Sequence, residues 1–132
     1  MIAGRLYLDG GISDAIPIEK SILDGNGKNV VVLTKELGYV RKPSSLLNLI
    51  RMRYHKYPKV YEVMKERHVT YNETMEYIRR LEKEGKVFVI QPKVKSDVGR
   101  LEKDEIKMQN LYNTGYEDAK ACYDSVIEFL NN

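Results

Sequence analysis

The chain has 132 residues, of which 42% are hydrophobic and 31% charged, and its formal net charge is +3. This composition fits one folded domain with a real core, and it excludes a disordered or a membrane-embedded chain. No apolar run approaches the roughly 18 to 20 residues that span a bilayer. Cys122 is the only cysteine and cannot form an internal disulfide, so we expect a reducing compartment and a cytoplasmic location.

Charge is unevenly distributed along the chain. Between Lys35 and Lys59, seven basic residues stand against Glu36 alone, which gives this segment a net charge of +6. Such an excess favours anionic partners, for example phospholipid headgroups. A solvated helix face is the simpler interpretation. No nucleic-acid-binding motif accompanies the charge, so we expect no nucleic acid partner.

Three short apolar runs predict strands: RLYL at 5–8, NVVVLT at 29–34 and KVFVI at 86–90. The second and third runs are continuous rather than alternating, which is typical of strands covered on both faces of a largely parallel sheet. Between the first two runs, PIEKSILDG predicts a short helix with Pro17 near its start and Gly25 after its end. The order of strand, helix and strand indicates an α/β protein.

The middle of the chain predicts three helices. Residues 44–55 form the first candidate and residues 59–67 the second, separated by a break before a proline. A third helix begins at Thr70, which forms a capping box with Glu73, and ends at Gly85. One apolar stripe of this helix is expected to face the core: Tyr71, Met75, Ile78 and Leu81.

The last predicted helix runs from about Asp104 to Leu130. Its apolar residues recur at alternating spacings of four and three: Tyr112, Tyr116, Ala119, Tyr123, Val126 and Leu130. This repeat is too short for a coiled coil, so we expect a helix that packs on the domain, with the tyrosines in the core and their hydroxyls in water. Cys122 flanks the stripe and is expected to be a buried, unreactive thiol.

Two glycine-containing segments resemble catalytic motifs but lack residues that those motifs require. DGNGKN at 24–29 lacks both the first glycine and the final Ser or Thr of a phosphate-binding loop, which leaves a glycine-rich turn. GISDA resembles the start of a G-x-S-x-G nucleophile elbow around Ser13, but Ala15 replaces the last glycine and no strand directly precedes it. His55 and His68 have no neighbouring ligands at zinc spacing, so no metal site is predicted.

Asp9, Gly10 and Gly11 directly follow the first predicted strand. An Asp-Gly-Gly triplet alone is also compatible with a simple turn. Its setting, YLDGGISDAIPIEKSI followed by VVVLT and LGY, resembles the patatin-like phospholipases, which are serine acyl hydrolases whose catalytic aspartate lies in a D-G-G or D-G-A motif. YNETMEYIRRLEKEGKVFVIQP and LYNTGYEDAK are similar to the carboxyl-terminal extension of a bacterial subgroup. The resemblance covers essentially the whole chain.

The resemblance implies an α/β fold: part of a patatin-like α/β/α sandwich of about three largely parallel strands, with a helix-rich carboxyl-terminal extension. Residues 1–36 would be the tail of the catalytic core and residues 37–132 the extension. Asp9 would be the catalytic base partner of a serine, and burial at a strand end would raise its proton affinity. Gly10 and Gly11 would let the backbone turn sharply and another segment approach. The implied substrate is a lipid or acyl ester, with no metal or organic cofactor.

The 132 residues contain no G-x-S-x-G and no glycine-rich oxyanion loop, both of which precede the D-G-G motif in that family. We therefore expect the carboxyl-terminal part of a patatin-like lipid acyl hydrolase that is inactive by itself. The alternative is a non-catalytic module that binds anionic membranes or partners through residues 35–59. Unpaired apolar edges at RLYL and VVVLT also predict that the isolated chain forms a homo-oligomer.

Overall fold

A computed structural model describes residues 3–4, 7–99 and 101–132. The chain divides into two compact units. The first contains Met1–Gly25 and Val40–Arg79, and the second contains Asn26–Tyr39 and Arg80–Asn132. Within the described residues the protein is a helix-rich α/β protein with one two-stranded parallel sheet.

The chain order begins with a 3-10 turn at Gly10–Ile12. The helices and strands that follow are α1 (Ile18–Leu23), β1 (Asn29–Val32), α2 (Leu47–Arg53), α3 (Pro58–Lys83), β2 (Val87–Ile90), α4 (Glu105–Ala121) and α5 (Tyr123–Asn131). Two of the three predicted strands and the α1 helix are confirmed. Of the predicted strand at 5–8, Arg5 and Leu6 lie outside the described residues, whereas Tyr7 and Leu8 are exposed and belong to no strand.

The sheet lies in the second unit and has the predicted parallel arrangement. Asn29 of β1 is paired with Val87 of β2, and the register continues to Val32 opposite Ile90. A further hydrogen bond, from the Leu33 amide to the Ile90 carbonyl at 2.8 Å, extends the pairing beyond the strands. The buried hydrophobic residues of this unit lie on the sheet and at the end of α3: Val31, Leu33, Leu81 and Val87.

Residues 58–83 form one continuous helix, not the two predicted ones. The capping box at Thr70 is wrong, because Thr70 sits inside α3 and its hydroxyl donates to the Glu66 carbonyl one turn earlier, at 3.5 Å. No glycine or proline lies between Pro58 and Gly85, so nothing in the chain stops the helix once it has formed. The predicted stripe is confirmed: Tyr71, Ile78 and Leu81 are buried and Met75 is half-buried.

The predicted last helix is two helices that meet at Cys122. The helix begins near Asp104 as expected, and Asp104 caps α4, since its Oδ1 accepts the Ile106 and Lys107 amides at 2.9 and 3.2 Å. The tyrosine stripe is not in the core. Its three tyrosines are more than half exposed: Tyr112, Tyr116 and Tyr123. Cys122 is half-buried rather than buried, and its thiol donates to main-chain carbonyls of α4.

For the part of the stripe on α5, the reason is that this helix packs through a residue outside the stripe. The Phe129 ring lies against Phe88 of β2, with 5.8 Å between the ring centroids, and the Lys28 ammonium donates to the Phe129 carbonyl at 2.6 Å. Fixing Phe129 on the sheet turns Tyr123 and Leu130 toward solvent, because helix residues rotate by about 100° each. Tyrosines tolerate this position because the ring carries a polar hydroxyl.

Candidate functional site

Asp9 forms a local cap on the 3-10 turn of the first unit. Its Oδ1 accepts the Gly11 amide at 2.8 Å, and its carbonyl accepts the Ile12 amide at 3.0 Å. The expected burial of Asp9 is wrong for this chain, since the residue is exposed. The carboxylate is thus held in a defined orientation by its own turn, and its second oxygen accepts no hydrogen bond from the described residues.

The two glycines after Asp9 differ in how closely other atoms approach them. Neither has a positive φ, so the turn itself does not demand glycine at either position. A Cβ on Gly10 would meet no atom within 4 Å. A Cβ on Gly11 would lie 3.2 Å from the Asp9 Oδ1 and 4.0 Å from the Arg67 Nη2, which makes Gly11 the place of the close approach predicted for this pair.

Arg67 ties the turn to α3. Its Nε and Nη2 both donate to the Gly11 carbonyl, at 3.0 and 2.6 Å. Since the Gly11 amide also donates to Asp9, the carboxylate and the arginine bind the two peptide groups on either side of the Gly11 Cα. Arg67 is half-buried and was not singled out from the sequence, where it is one more cation in a helix rich in charge. No signal in the sequence connects it with a turn 56 residues earlier.

A groove of about 550 Å³ opens beside the turn in the first unit. Among its described lining residues, Asp9 is the only carboxylate and Lys59 the only cation. The rest of the lining is chiefly aromatic and aliphatic: Tyr7, Leu8, Ile12, Tyr54, Tyr57, Val60 and Val63, with Gly10 and Ser13. A volume of this size lies within the range of small-molecule sites, which combine apolar walls with few polar groups.

On the other side of the turn lies a second cavity, of about 320 Å³. It is lined by the segment 11–16 and by α3 residues that include Glu62, Glu66 and Arg67. Ile12, Ser13 and Val63 line both cavities, whereas Arg67 lines only this mixed-charge one. Of the two, only the groove places the predicted catalytic carboxylate in its wall.

Ser13 does not form a nucleophile elbow. Its hydroxyl donates to the Gly10 carbonyl at 3.0 Å, and the residue closes the 3-10 turn instead of standing on a strand-to-helix corner. A serine nucleophile needs an adjacent base to take its proton, and here the hydroxyl proton is directed at the main chain. The rejection of GISDA as a catalytic motif thus agrees with the geometry.

Arg41 anchors the segment before α2. Its main-chain amide donates to the Asn72 Oδ1 at 2.9 Å, and the Asn72 Nδ2 donates back to its carbonyl at 3.1 Å. The guanidinium lies 4.0 Å from the centroid of the buried Tyr71 ring. Arg41 therefore contributes to packing inside the first unit, and it is not among the basic residues that are open to a partner.

Metal-binding and membrane-spanning features are both missing from the described part of the chain. No group of three or more histidine, cysteine or acidic side chains there could hold a metal ion. None of the helices in these residues is both long and apolar enough to cross a bilayer.

The fold and the site define a small helix-rich α/β protein with an aspartate-capped turn beside an apolar groove. The chain belongs to the family described as a domain of unknown function, DUF6363, whose model matches residues 57–131, more than half of the sequence. Arg67 and the sheet strand β2 lie inside the matched region, whereas Asp9 precedes it. Neither a curated protein nor a solved structure matches the chain.

Proposed function

We propose that this chain is the carboxyl-terminal part of a patatin-like lipid acyl hydrolase and contributes the aspartate of its Ser–Asp dyad. The observation that carries the proposal is the position of Asp9: an oriented carboxylate at the wall of an apolar groove. The D-G-G motif and the order of segments around it add the resemblance to that family. The same proposal includes a patatin-like α/β/α sandwich and a boundary near residue 36, between the tail of the catalytic core and the carboxyl-terminal extension.

The proposed chemistry assigns one step to Asp9. A serine supplied from outside these 132 residues would attack the ester carbonyl, and Asp9 would take the serine hydroxyl proton. The ester C–O bond then breaks, the alcohol leaves with a proton, and an acyl-serine remains until water hydrolyses it. With one Asp9 oxygen bound to the Gly11 amide, the other is free to accept that proton. The apolar wall of the groove would take the acyl chain.

Self-association stays part of the proposal for the isolated chain. Among the described residues, β1 pairs with β2 alone, and the β1 side chains Val30 and Val32 are exposed. A free apolar edge of this kind favours pairing with another copy. Light scattering of the purified chain at micromolar concentration tests it, and a monodisperse monomer would contradict it.

The test of the catalytic role uses the product of the complete gene, because the nucleophile is not in this sequence. We expect a fluorophosphonate to label one serine there, and Asp9→Asn to lower the hydrolysis of short-chain acyl esters by about a thousandfold or more. Asp14→Asn is the matched control. Asp14 is an exposed carboxylate of the same loop, and its Oδ1 accepts the Ile16 amide at 3.3 Å.

Two outcomes would overturn the proposal. One is full esterase activity in the Asp9→Asn protein together with unchanged fluorophosphonate labelling. The other is a complete gene product without any serine that reacts with the probe. The 132-residue chain alone should give neither turnover nor labelling, and stoichiometric labelling of Ser13 that Asp9→Asn abolishes would also count against the assignment.

A further inference from the structure

The segment that contains α2 and the start of α3 combines exposed charge with exposed apolar side chains in the first unit. From Val40 to Tyr61 it contains no acidic residue. Its six basic residues are Arg41, Lys42, Arg51, Arg53, Lys56 and Lys59. Except for Arg41, which stacks on Tyr71, all of them are exposed. No ion pair of the described residues involves any of the six.

Helix α2 has two faces that differ in burial. Leu47, Ile50 and Tyr54 follow each other at spacings of three and four and are half-buried, which identifies the inward face. Leu49 and Met52 lie on the opposite face and are 54% and 68% exposed. The outward face of α2 is therefore apolar, although it is open to water.

The basic side chains flank that apolar face. At about 100° per residue, Arg51 and Arg53 fall on either side of the line through Leu49 and Met52. Their guanidinium groups lie 5.9 and 6.0 Å from the centroids of Tyr61 and Tyr54. Those distances are at the outer limit of a cation–π contact, so both groups are available to a stronger anionic partner.

We propose that the outward face of α2 binds the surface of an anionic phospholipid bilayer. An apolar stripe edged by arginines is the pattern of helices that lie in a membrane interface, where the apolar side chains enter the acyl region and the cations contact headgroups. A nucleic acid would take the charges but leave Leu49 and Met52 in water. A bilayer accommodates both, which is why we favour it over nucleic acid.

The position of this surface adds a connection to the groove. Tyr54, Tyr57 and Lys59 belong to the basic segment and also line the groove that contains Asp9. A bilayer bound at α2 would thus lie next to the groove in the same unit. Only this last step rests on the proposed hydrolase function, because membrane binding itself is measured without any enzymatic activity.

The first experiment measures co-sedimentation of the full 132-residue chain with vesicles. We expect binding to phosphatidylcholine vesicles that contain phosphatidylglycerol, little binding to pure phosphatidylcholine, and a steep loss with added salt. Each basic residue near the surface is worth about fivefold in the partition coefficient, so Arg51→Gln with Arg53→Gln should weaken binding by roughly 30-fold. Lys93→Gln with Lys95→Gln removes the same charge from exposed positions of the second unit and should change it little.

The second experiment tests the apolar contribution. Leu49→Ser with Met52→Ser should weaken binding by roughly tenfold or more, with the helical circular dichroism unchanged because both side chains are exposed. The chain contains no tryptophan, so Met52→Trp introduces a single tryptophan whose emission can be excited selectively. Its emission should shift to the blue with anionic vesicles and be quenched by brominated acyl chains. Ile106→Trp on the exposed face of α4 is the control and should not shift.

Three results would overturn the inference. Binding to neutral and anionic vesicles to the same extent would remove the role of charge. Unchanged emission of Met52→Trp in the presence of anionic vesicles would show that the α2 face stays in water. Tight, salt-sensitive binding to RNA or DNA that the Leu49 and Met52 substitutions leave intact, without vesicle binding, would assign the basic segment to nucleic acid instead.

Discussion

Two of the turns in which a carboxylate directly precedes glycine, Asp9–Gly10 and Glu84–Gly85, are fixed for different physical reasons. At Glu84–Gly85 the glycine has a φ of +68°, and the Gly85 and Lys86 amides donate to Glu82 and Leu81 at the end of α3. This is the usual way to close a helix, and it uses only neighbouring residues. At Asp9–Gly10 neither glycine has a positive φ, and hydrogen bonds from Arg67, which lies 56 residues beyond Gly11, add to those that the turn makes itself.

The difference shows that helix termination explains the Glu84–Gly85 turn, whereas the Asp9–Gly10 turn needs a further explanation. The glycine at 85 is accounted for completely by backbone conformation, since few other residues adopt a positive φ without strain. At Asp9 the backbone conformation does not require either glycine. The Asp9 Oδ1 and the Arg67 Nη2 nevertheless lie only 3.2 and 4.0 Å from the position that a Cβ on Gly11 would occupy. A turn that is fixed from outside and open toward an apolar groove fits a site, whereas the turn at Gly85 fits a helix stop.

The largest expected effect comes from removing the contact between Arg67 and the Asp9–Gly10 turn. Arg67→Met deletes two charge-assisted hydrogen bonds to the Gly11 carbonyl, and we expect the free energy of unfolding to fall by about 2 kcal/mol. Hydrogen exchange at the Gly11 amide should accelerate because the turn loosens. Arg67→Lys keeps the charge but not the forked geometry and should lie in between.

Arg79→Met serves as the matched control for that experiment. Arg79 is half-buried on the same helix and makes no hydrogen bond or ion pair in the described part of the chain. Its substitution should leave exchange at Gly11 unchanged. If Arg67→Met and Arg79→Met cost the same stability and neither affects the Gly11 amide, the turn is held by its own residues and the contrast with Gly85 disappears.

A second prediction concerns the helix stop. Gly85→Ala forces a Cβ into a left-handed backbone conformation, so we expect it to lower the free energy of unfolding by about 1 kcal/mol. Thermal unfolding followed by circular dichroism measures the change. An unaltered midpoint would mean that the end of α3 shifts to another conformation at no cost.

Gly10→Ala should act in the opposite direction. The φ of Gly10 is not in the left-handed region and a Cβ there would meet nothing within 4 Å, so alanine mainly restricts the unfolded chain. We expect a gain of about 0.4–1 kcal/mol in the free energy of unfolding. The same measurement as for Gly85→Ala applies. Equal losses at the two glycines would show that both turns depend on glycine for the same reason.

The sequence predicted local structure well and distant contacts poorly. The strands at Val30 and Phe88, the helix stop at Gly85 and the helix start near Asp104 were all predicted, because each signal lies within a few residues of the feature it controls. The capping box at Thr70 was wrong because the same hydroxyl can bond to a carbonyl one turn back inside a longer helix.

The candidate site was predictable only in part. The Asp9 triplet marked the turn, but the partner of Gly11 could not be found, since nothing along the chain distinguishes Arg67 from its charged neighbours. The tyrosine stripe failed for a related reason. Spacing predicted that Tyr112, Tyr116 and Tyr123 share one face of a single helix, but the helix is interrupted at Cys122, and α5 packs through Phe129 on Phe88, a contact between distant segments.

The smallest expected effect concerns the carboxylate at the second turn. The pKa of Glu84 is lowered from the ordinary 4.5, first by its hydrogen bond from the Lys86 ammonium at 2.8 Å and then by the charge of that lysine. A carboxyl pKa depressed in the folded state stabilises the fold above the unfolded pKa, and that contribution is lost as the pH falls through the folded pKa. Lys86→Gln should therefore raise the pKa of Glu84 toward 4.5 in an NMR titration. Lys83→Gln is the control, because it removes a neighbouring charge but not that hydrogen bond. It should shift the pKa of Glu84 less. Equal shifts in the two variants would mean that screened charge alone, not the hydrogen bond, perturbs this carboxylate.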